Sequence, residues 1–162
     1  MGLVDILWGL DLLAGRAEAV GADFILAGPV SLWLKGITPP PKTPRFILIT
    51  SKFSVENLLR ALSYGSRLLE WGPEWADIGG RAARLSLRGL LVEVLVDPII
   101  DGIAYEASRL ARESSFIVLG NHILRLAPIW FELKLSEALE HGEHSQKEET
   151  NPRGNAKSEN ST

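Results

Sequence analysis

The sequence contains no cysteine, and that single absence excludes a disulfide framework, thiolate zinc sites, iron–sulfur ligation and cysteine nucleophiles together. It leaves the redox compartment unspecified. Long apolar runs are also missing: Glu93 and Asp97 interrupt the longest candidate before it reaches the roughly 18 residues that span a bilayer, so no membrane partner is expected. Positive charge is not in excess either, with 17 Lys and Arg against 20 Asp and Glu, a net charge of −3 and a pI of about 5.6. Any nucleic-acid binding must therefore come from a local patch. The opening Met1-Gly2-Leu3-Val4-Asp5 has an acid where a secretory leader has bases, and Ile6 spoils a myristoylation pattern, which makes the cytoplasm the default compartment. Up to residue 142 there is one Met, no Gln and two Asn, a shortage of labile residues of the kind seen in thermophile proteins. There is no G-x-G-x-x-G, and Gly79-Gly80 lacks the Lys-Ser/Thr of a P-loop.

What is present is 162 residues, 46% of them hydrophobic, enough for one buried core. Residues 143–162 contain a single hydrophobic residue, Ala156, and read as a disordered polar tail on a domain of residues 1–142. The body carries 16 acids and 14 bases, so the tail conceals no basic domain.

Helical and strand patterns alternate along the body. Leu3, Ile6, Leu7, Leu10, Leu13 and Ala14 predict a first helix that stops before Gly21. Phe24-Ile25-Leu26-Ala27 predicts a buried strand ending at Gly28, and Pro29 then opens a short helix through Leu34. Four prolines in residues 38–44 enforce a loop before a second buried strand, Phe46-Ile47-Leu48-Ile49-Thr50. Ser54 is placed to cap a helix over Val55, Leu58, Leu59 and Leu62. After a Gly/Pro/Trp-rich connection, residues 84–88 and 91–96 predict a hairpin across a Gly89-Leu90 type II′ turn. A helix is expected over residues 103–112, then strands at 116–119 and 123–124. A closing helix from Pro128 carries Trp130, Phe131, Lys134, Leu135, Ala138 and Leu139 over about three turns. The expected fold class is α/β, a mixed sheet with helices packed on it in a single domain.

This order of elements resembles the nucleotidyltransferase-like fold of the minimal, DNA-polymerase-beta-type superfamily, nearest to small prokaryotic members related to abortive-infection and toxin–antitoxin proteins. In that family a strand ends in Gly-Gly or Gly-Ser before a short helix, a second strand presents Asp-x-Asp, and a later strand adds a third carboxylate. Ala27-Gly28-Pro29-Val30-Ser31-Leu32-Trp33-Leu34-Lys35-Gly36 is similar to the first part, and Lys42-Thr43 to the approach to the second strand. Leu91-Val92-Glu93-Val94-Leu95 resembles the third-carboxylate strand, and the helix with Lys134-Leu135 resembles the closing helix. The resemblance implies two aspartates at 45 and 47, where the chain has Arg45 and Ile47. Divalent ions need hard oxygen ligands, and neither residue supplies one. Pro29 likewise has no N–H to offer a phosphate.

The resemblance therefore implies a cleft without its metal carboxylates and no cofactor. It points to a non-catalytic binding or regulatory module with Gly28, Ser31, Lys42, Arg45, Glu93 and Lys134 as candidate ligand-binding residues. Two other readings stay open. One is an active enzyme transferring NMP from an NTP with magnesium, using Glu93, Asp97 and another acid. The other is a structural or oligomerising protein, a homodimer with Trp71 and Trp75 at its interface.

Several residues admit a structural role beside the functional one. Glu93 is either a surviving third carboxylate or a cross-strand ion pair, with Ser86 expected opposite it and Arg84 and Arg88 on its diagonals. Arg45 turning toward Glu93 would replace a metal's charge. Lys35, Lys42, Arg45, Lys52, Arg81, Arg84 and Arg88 would bind phosphate or RNA backbone if they converged, and otherwise are solvated cations. Trp71 and Trp75 are either interface anchors or loop aromatics folded over the core, whereas Trp8, Trp33 and Trp130 fall on helical stripes and are expected in the core. His141 and His144 read as a frayed helix end, not a metal site. Asp77, Asp97 and Asp101 form no recognisable cluster. The partner is thus a nucleotide, an RNA or a protein.

Overall fold

A computed structural model of the chain describes residues 2–150. In chain order the elements are α1 (Leu3–Ala19), β1 (Ile25–Ala27), α2 (Pro29–Leu34), β2 (Arg45–Thr50), α3 (Val55–Ser63) and β3 (Ser66–Leu69). A 3₁₀ turn (Pro73–Trp75) follows, then β4 (Ile78–Leu87), β5 (Leu90–Ile100), β6 (Ile103–Ala104), α4 (Ala107–Arg112), β7 (Ser115–Leu119), β8 (His122–Leu126) and α5 (Ile129–Thr150). The strands form one mixed sheet in the order β3-β4-β5-β2-β1-β8-β7, with β6 paired to β5. β2 runs antiparallel to β1 and parallel to β5, and β1 runs parallel to β8.

The unbroken apolar run in β2 exists because both of its faces are covered. Phe46 and Leu48, with Leu26, Val92 and Val94, project toward Leu10 and Leu13 of α1 and Leu58 and Leu62 of α3. Ile47 and Ile49, with Ile25, Ala27 and Leu95, project to the other side, against Leu110 of α4, Phe131 and Leu135 of α5, and Trp75. Each fully buried aliphatic side chain contributes roughly 1.5–3 kcal/mol to folding. Glu93 stands opposite Ile47 on β5 and takes the second face, so the sheet's alternation carries a carboxylate into an apolar layer.

The sheet departs from the sequence reading in several places. The β4–β5 turn is Arg88-Gly89, not Gly89-Leu90: both residues have positive φ, 51° and 85°, the signature of a type I′ turn. Leu87 then pairs with Leu90, and both are buried, whereas a Gly89-Leu90 turn would leave Leu90 in solvent. The one-residue shift puts Arg84, not Ser86, opposite Glu93. The stretch expected as one helix over 103–112 instead begins as β6, and only residues 107–112 are helical. The Gly/Pro/Trp-rich connection contains β3 and the 3₁₀ turn, and β4 begins six residues earlier than its alternation indicates. Ser54 occupies the N-cap of α3 but its side chain makes no capping bond. Trp8 faces solvent at 43% exposure, since Leu10 and Leu13 take the buried side of α1. Trp33 and Trp130 pack against the two core clusters. Helix α5 continues to Thr150, past residue 143 where the polar tail was expected to start; the rest of that expectation, residues 151–162, lies outside the described residues.

Candidate functional site

The end of the sheet where β1 meets α2 brings together the residues singled out from the sequence. Gly28 ends β1 at φ +83°, and Pro29 starts α2 at its first turn. A side chain on residue 28 is excluded twice, by that φ and by Ile47, whose Cδ1 would lie 2.7 Å from a Cβ there. Ile47 thus fills the space between the glycine turn and the second strand.

Arg45, two residues earlier and on the same face of β2, turns onto Glu93. Its Nε donates to Glu93 Oε1, and its Nη2 donates to Glu93 Oε2 at 3.1 Å and to Glu74 Oε2 at 2.7 Å. Trp75 Nε1 donates to Glu93 Oε2 at 2.5 Å, and Arg84 Nε stands 3.4 Å from the same oxygen. Glu93 is completely buried, so its charge depends on these partners. The Arg45 guanidinium also lies 5.1 Å from the Trp75 ring centroid, a cation–π contact. Contacts with Glu93 and Glu74 raise the Arg45 pKa against the opposing effect of burial.

A second buried carboxylate, Glu132 in the first turn of α5, was not singled out from the sequence. Its Oε1 accepts the Gly28 N–H at 2.8 Å. Burial pushes its pKa up to about 7, while the Gly28 N–H and the Lys35 charge pull the other way. Ser31 Oγ and Glu132 Oε2 are both buried without a hydrogen-bond partner. Lys35 donates to the Ala127 carbonyl, and burial lowers its pKa. An acid in a first helical turn is ordinary on dipole grounds, so nothing local to α5 marks Glu132 as the partner of a backbone N–H 104 positions away. Glu74 was missed for a similar reason, since its contact with Arg45 exists only through the 3₁₀ turn.

Other candidates lie elsewhere. Lys42 is exposed on the loop before β2, and Lys134 is exposed on α5. Arg81 pairs with Glu56 at 3.2 Å. Trp75 is 5% exposed and folds back over the core, with Trp71 edge-on at 5.2 Å between centroids. Asp97 Oδ1 accepts the Ala107 N–H at 2.8 Å and so caps α4. His141 meets Asp77; the side chain of His144 lies outside the described residues.

The divalent ion that the resemblance implies does not fit these residues. Arg45 and Ile47 stand where its aspartates would, and the oxygens of Glu93 already face two guanidinium groups and an indole N–H. Among the described residues no three of His, Cys, Asp and Glu gather to hold a metal.

The sheet order is that of a nucleotidyltransferase-like fold, as two solved structures bear out. In comparisons of structure, the chain is similar to a Thermotoga maritima protein designated a nucleotidyltransferase (TM1012), with a TM-score of 0.68 and 17% identity over 92% of this chain and 93% of that one. It is also similar to ANT(2″)-Ia, solved in complex with adenylyl-2″-tobramycin, with a TM-score of 0.52 and 16% identity over 88% of this chain and 90% of that one. No protein-family model matches the sequence, and no curated protein matches it. No helix among the described residues is long and apolar enough to cross a membrane.

Proposed function

We propose that this protein is a non-catalytic member of the nucleotidyltransferase fold, a binding or regulatory module whose metal-binding carboxylates have been replaced by an internal ion-pair network. The observation that carries this reading is the Arg45–Glu93 pair. A guanidinium supplies fixed positive charge where the resemblance calls for a cation, and it cannot polarise a phosphoryl oxygen and an attacking hydroxyl as paired ions do. Ile47 packed on Gly28 supports the same reading. Of the partners considered, a nucleotide held without metal is the one the fold favours.

The test is calorimetric titration of ATP, CTP and GTP, each with and without magnesium, against the wild type and Arg45→Ala. Metal-independent binding that weakens in the variant is the expected result. Binding that requires magnesium would overturn the proposal in favour of the second reading, an enzyme transferring NMP from an NTP, which is supported by the nucleotidyltransferase designation of one structural neighbour and the adenylylated ligand of the other. Absence of binding under every condition would overturn the nucleotide and shift the weight to a protein partner.

A further inference from the structure

Beside the ion-pair network, on the outer part of the sheet, lies an open cavity of about 370 Å³. Trp71 and Trp75 form one wall, Gly79, Gly80 and Ala82 of β4 the floor, and Leu95 of β5 the back. Its volume is in the range of small-molecule sites. Three features separate it from a gap between loosely packed elements.

The wall is rigid on one side and accessible on the other. Trp75 is fixed by its Nε1 bond to Glu93 and by Arg45 against its ring. Trp71 meets it edge-on and remains 38% exposed. A tryptophan half open to solvent, supported by a buried one, is a preformed stacking surface. The floor is irregular for a reason. Pairing of β4 with β5 runs from Gly79↔Ile99 directly to Arg81↔Val96, so Asp97 and Pro98 of β5 stand opposite the single residue Gly80, which has φ +102°, and the extra residue of this β-bulge belongs to β5. Gly79 and Gly80 line the cavity and are exposed, and without side chains they present bare backbone to it where the bulge interrupts the ladder. Finally, no charged side chain lines the cavity, so it offers nothing to a phosphate or an ammonium group.

We infer that the cavity between Trp71 and the Gly79-Gly80 backbone of β4 is a binding site for a flat, uncharged aromatic ring, stacked on Trp71 with its polar edge toward that backbone. Such a ring could be the base of a nucleoside or a free aromatic heterocycle, and the chemistry of recognition is the same. Arg45 and Glu93 hold Trp75 in place but do not line the cavity, so its ligand is a separate question from whether the metal-free cleft holds a nucleotide.

The experiment is titration of the full chain with adenosine, with indole and with ribose 5-phosphate, followed by saturation-transfer NMR on ligand protons. Saturable binding of adenosine or indole, with none of ribose 5-phosphate, is expected. Which of the two binds more tightly separates a nucleoside from a free heterocycle. Trp71→Ala should weaken binding about ten-fold or more, the usual loss when a stacking aromatic is removed, and Trp71→Phe should restore most of it. Because Trp71 is partly exposed, both variants should keep the wild-type circular dichroism and melting profile. As a second route, Ala82→Leu occupies the cavity from its floor and should abolish binding. The inference is overturned if neither ring binds saturably, or if binding survives Trp71→Ala undiminished.

Discussion

Glu93 and Glu132 are both almost wholly buried, yet they answer to different physics. Glu93 is surrounded by donors that carry full charge or a directed N–H, so its destabilising potential appears only when the set is broken. Replacing Glu93 with Leu leaves Arg45 and Arg84 facing an apolar layer and should cost roughly 3–5 kcal/mol in urea unfolding. The double variant Arg45→Met, Glu93→Leu should be less destabilised than Glu93→Leu alone, because the stranded charge is removed with its partner. Glu132 has one backbone N–H and a carboxylate oxygen without a partner. Its folded-state pKa of about 7 lies above the ordinary 4.5. The native state therefore holds a proton that the unfolded chain releases, and the stability this group contributes is complete below pH 4.5 and lost as pH rises through about 7. The difference amounts to roughly 3 kcal/mol. Glu132→Gln keeps an acceptor for Gly28 and never ionises, so its melting temperature should exceed the wild type's at pH 8 and approach it at pH 4.

At the scale of elements, turns and close approaches set the geometry. Arg88 holds a left-handed φ of 51° in the β4–β5 turn, which costs a side chain on the order of 1 kcal/mol. Arg88→Asn should recover part of that and raise the urea midpoint without altering the slope. Gly142 of α5 passes so close to the 3₁₀ turn that a Cβ there would lie 2.5 Å from the Glu74 carbonyl oxygen. Gly142→Ala should therefore push α5 from the turn that carries Glu74 and Trp75, lowering the melting temperature and raising Trp75 accessibility to acrylamide quenching. This scale also marks what the sequence makes legible. Strands β1 and β2, with apolar runs bounded by Gly28 and by prolines, are readable because double-sided burial leaves no polar position. The hairpin's register is not readable to one residue, since Arg88-Gly89 and Gly89-Leu90 both satisfy a glycine-containing turn and only tertiary burial of Leu90 decides between them. Within the site, Arg45 and Glu93 stand out as departures from a pattern. Glu74 and Glu132 do not, because each is an ordinary acid locally and acquires its role through a contact far along the chain.

For the molecule as a whole, contacts that weaken as pH rises join parts distant in the chain. His122 of β8 bonds Glu18 at 2.9 Å and Asp11 at 2.9 Å, both on α1. The Glu18 bond first, then Asp11, raises its pKa against the effect of burial. A raised histidine contributes stability that is complete below pH 6.5 and lost as pH rises through the folded value. His122→Gln should therefore destabilise the protein at pH 6 more than at pH 9, by thermal denaturation. Its slope has the same sign as that of Glu132, so the double variant should show the flattest pH profile of the set.

The three residues of β1 carry a further consequence, one of timing. Leu26 pairs with Leu48 on one side and with Leu126 on the other, so the centre of the sheet joins segments about a hundred residues apart in the chain. Contacts of such long sequence separation slow folding, because loop closure must come before the contacts that reward it. During synthesis, β1 and β2 leave the ribosome long before β8 exists, with one edge of β1 unpaired. The nascent chain must keep that edge from other strands until residues 122–126 have been made, and docking of β8 on β1, not formation of the glycine turn, closes the centre of the sheet.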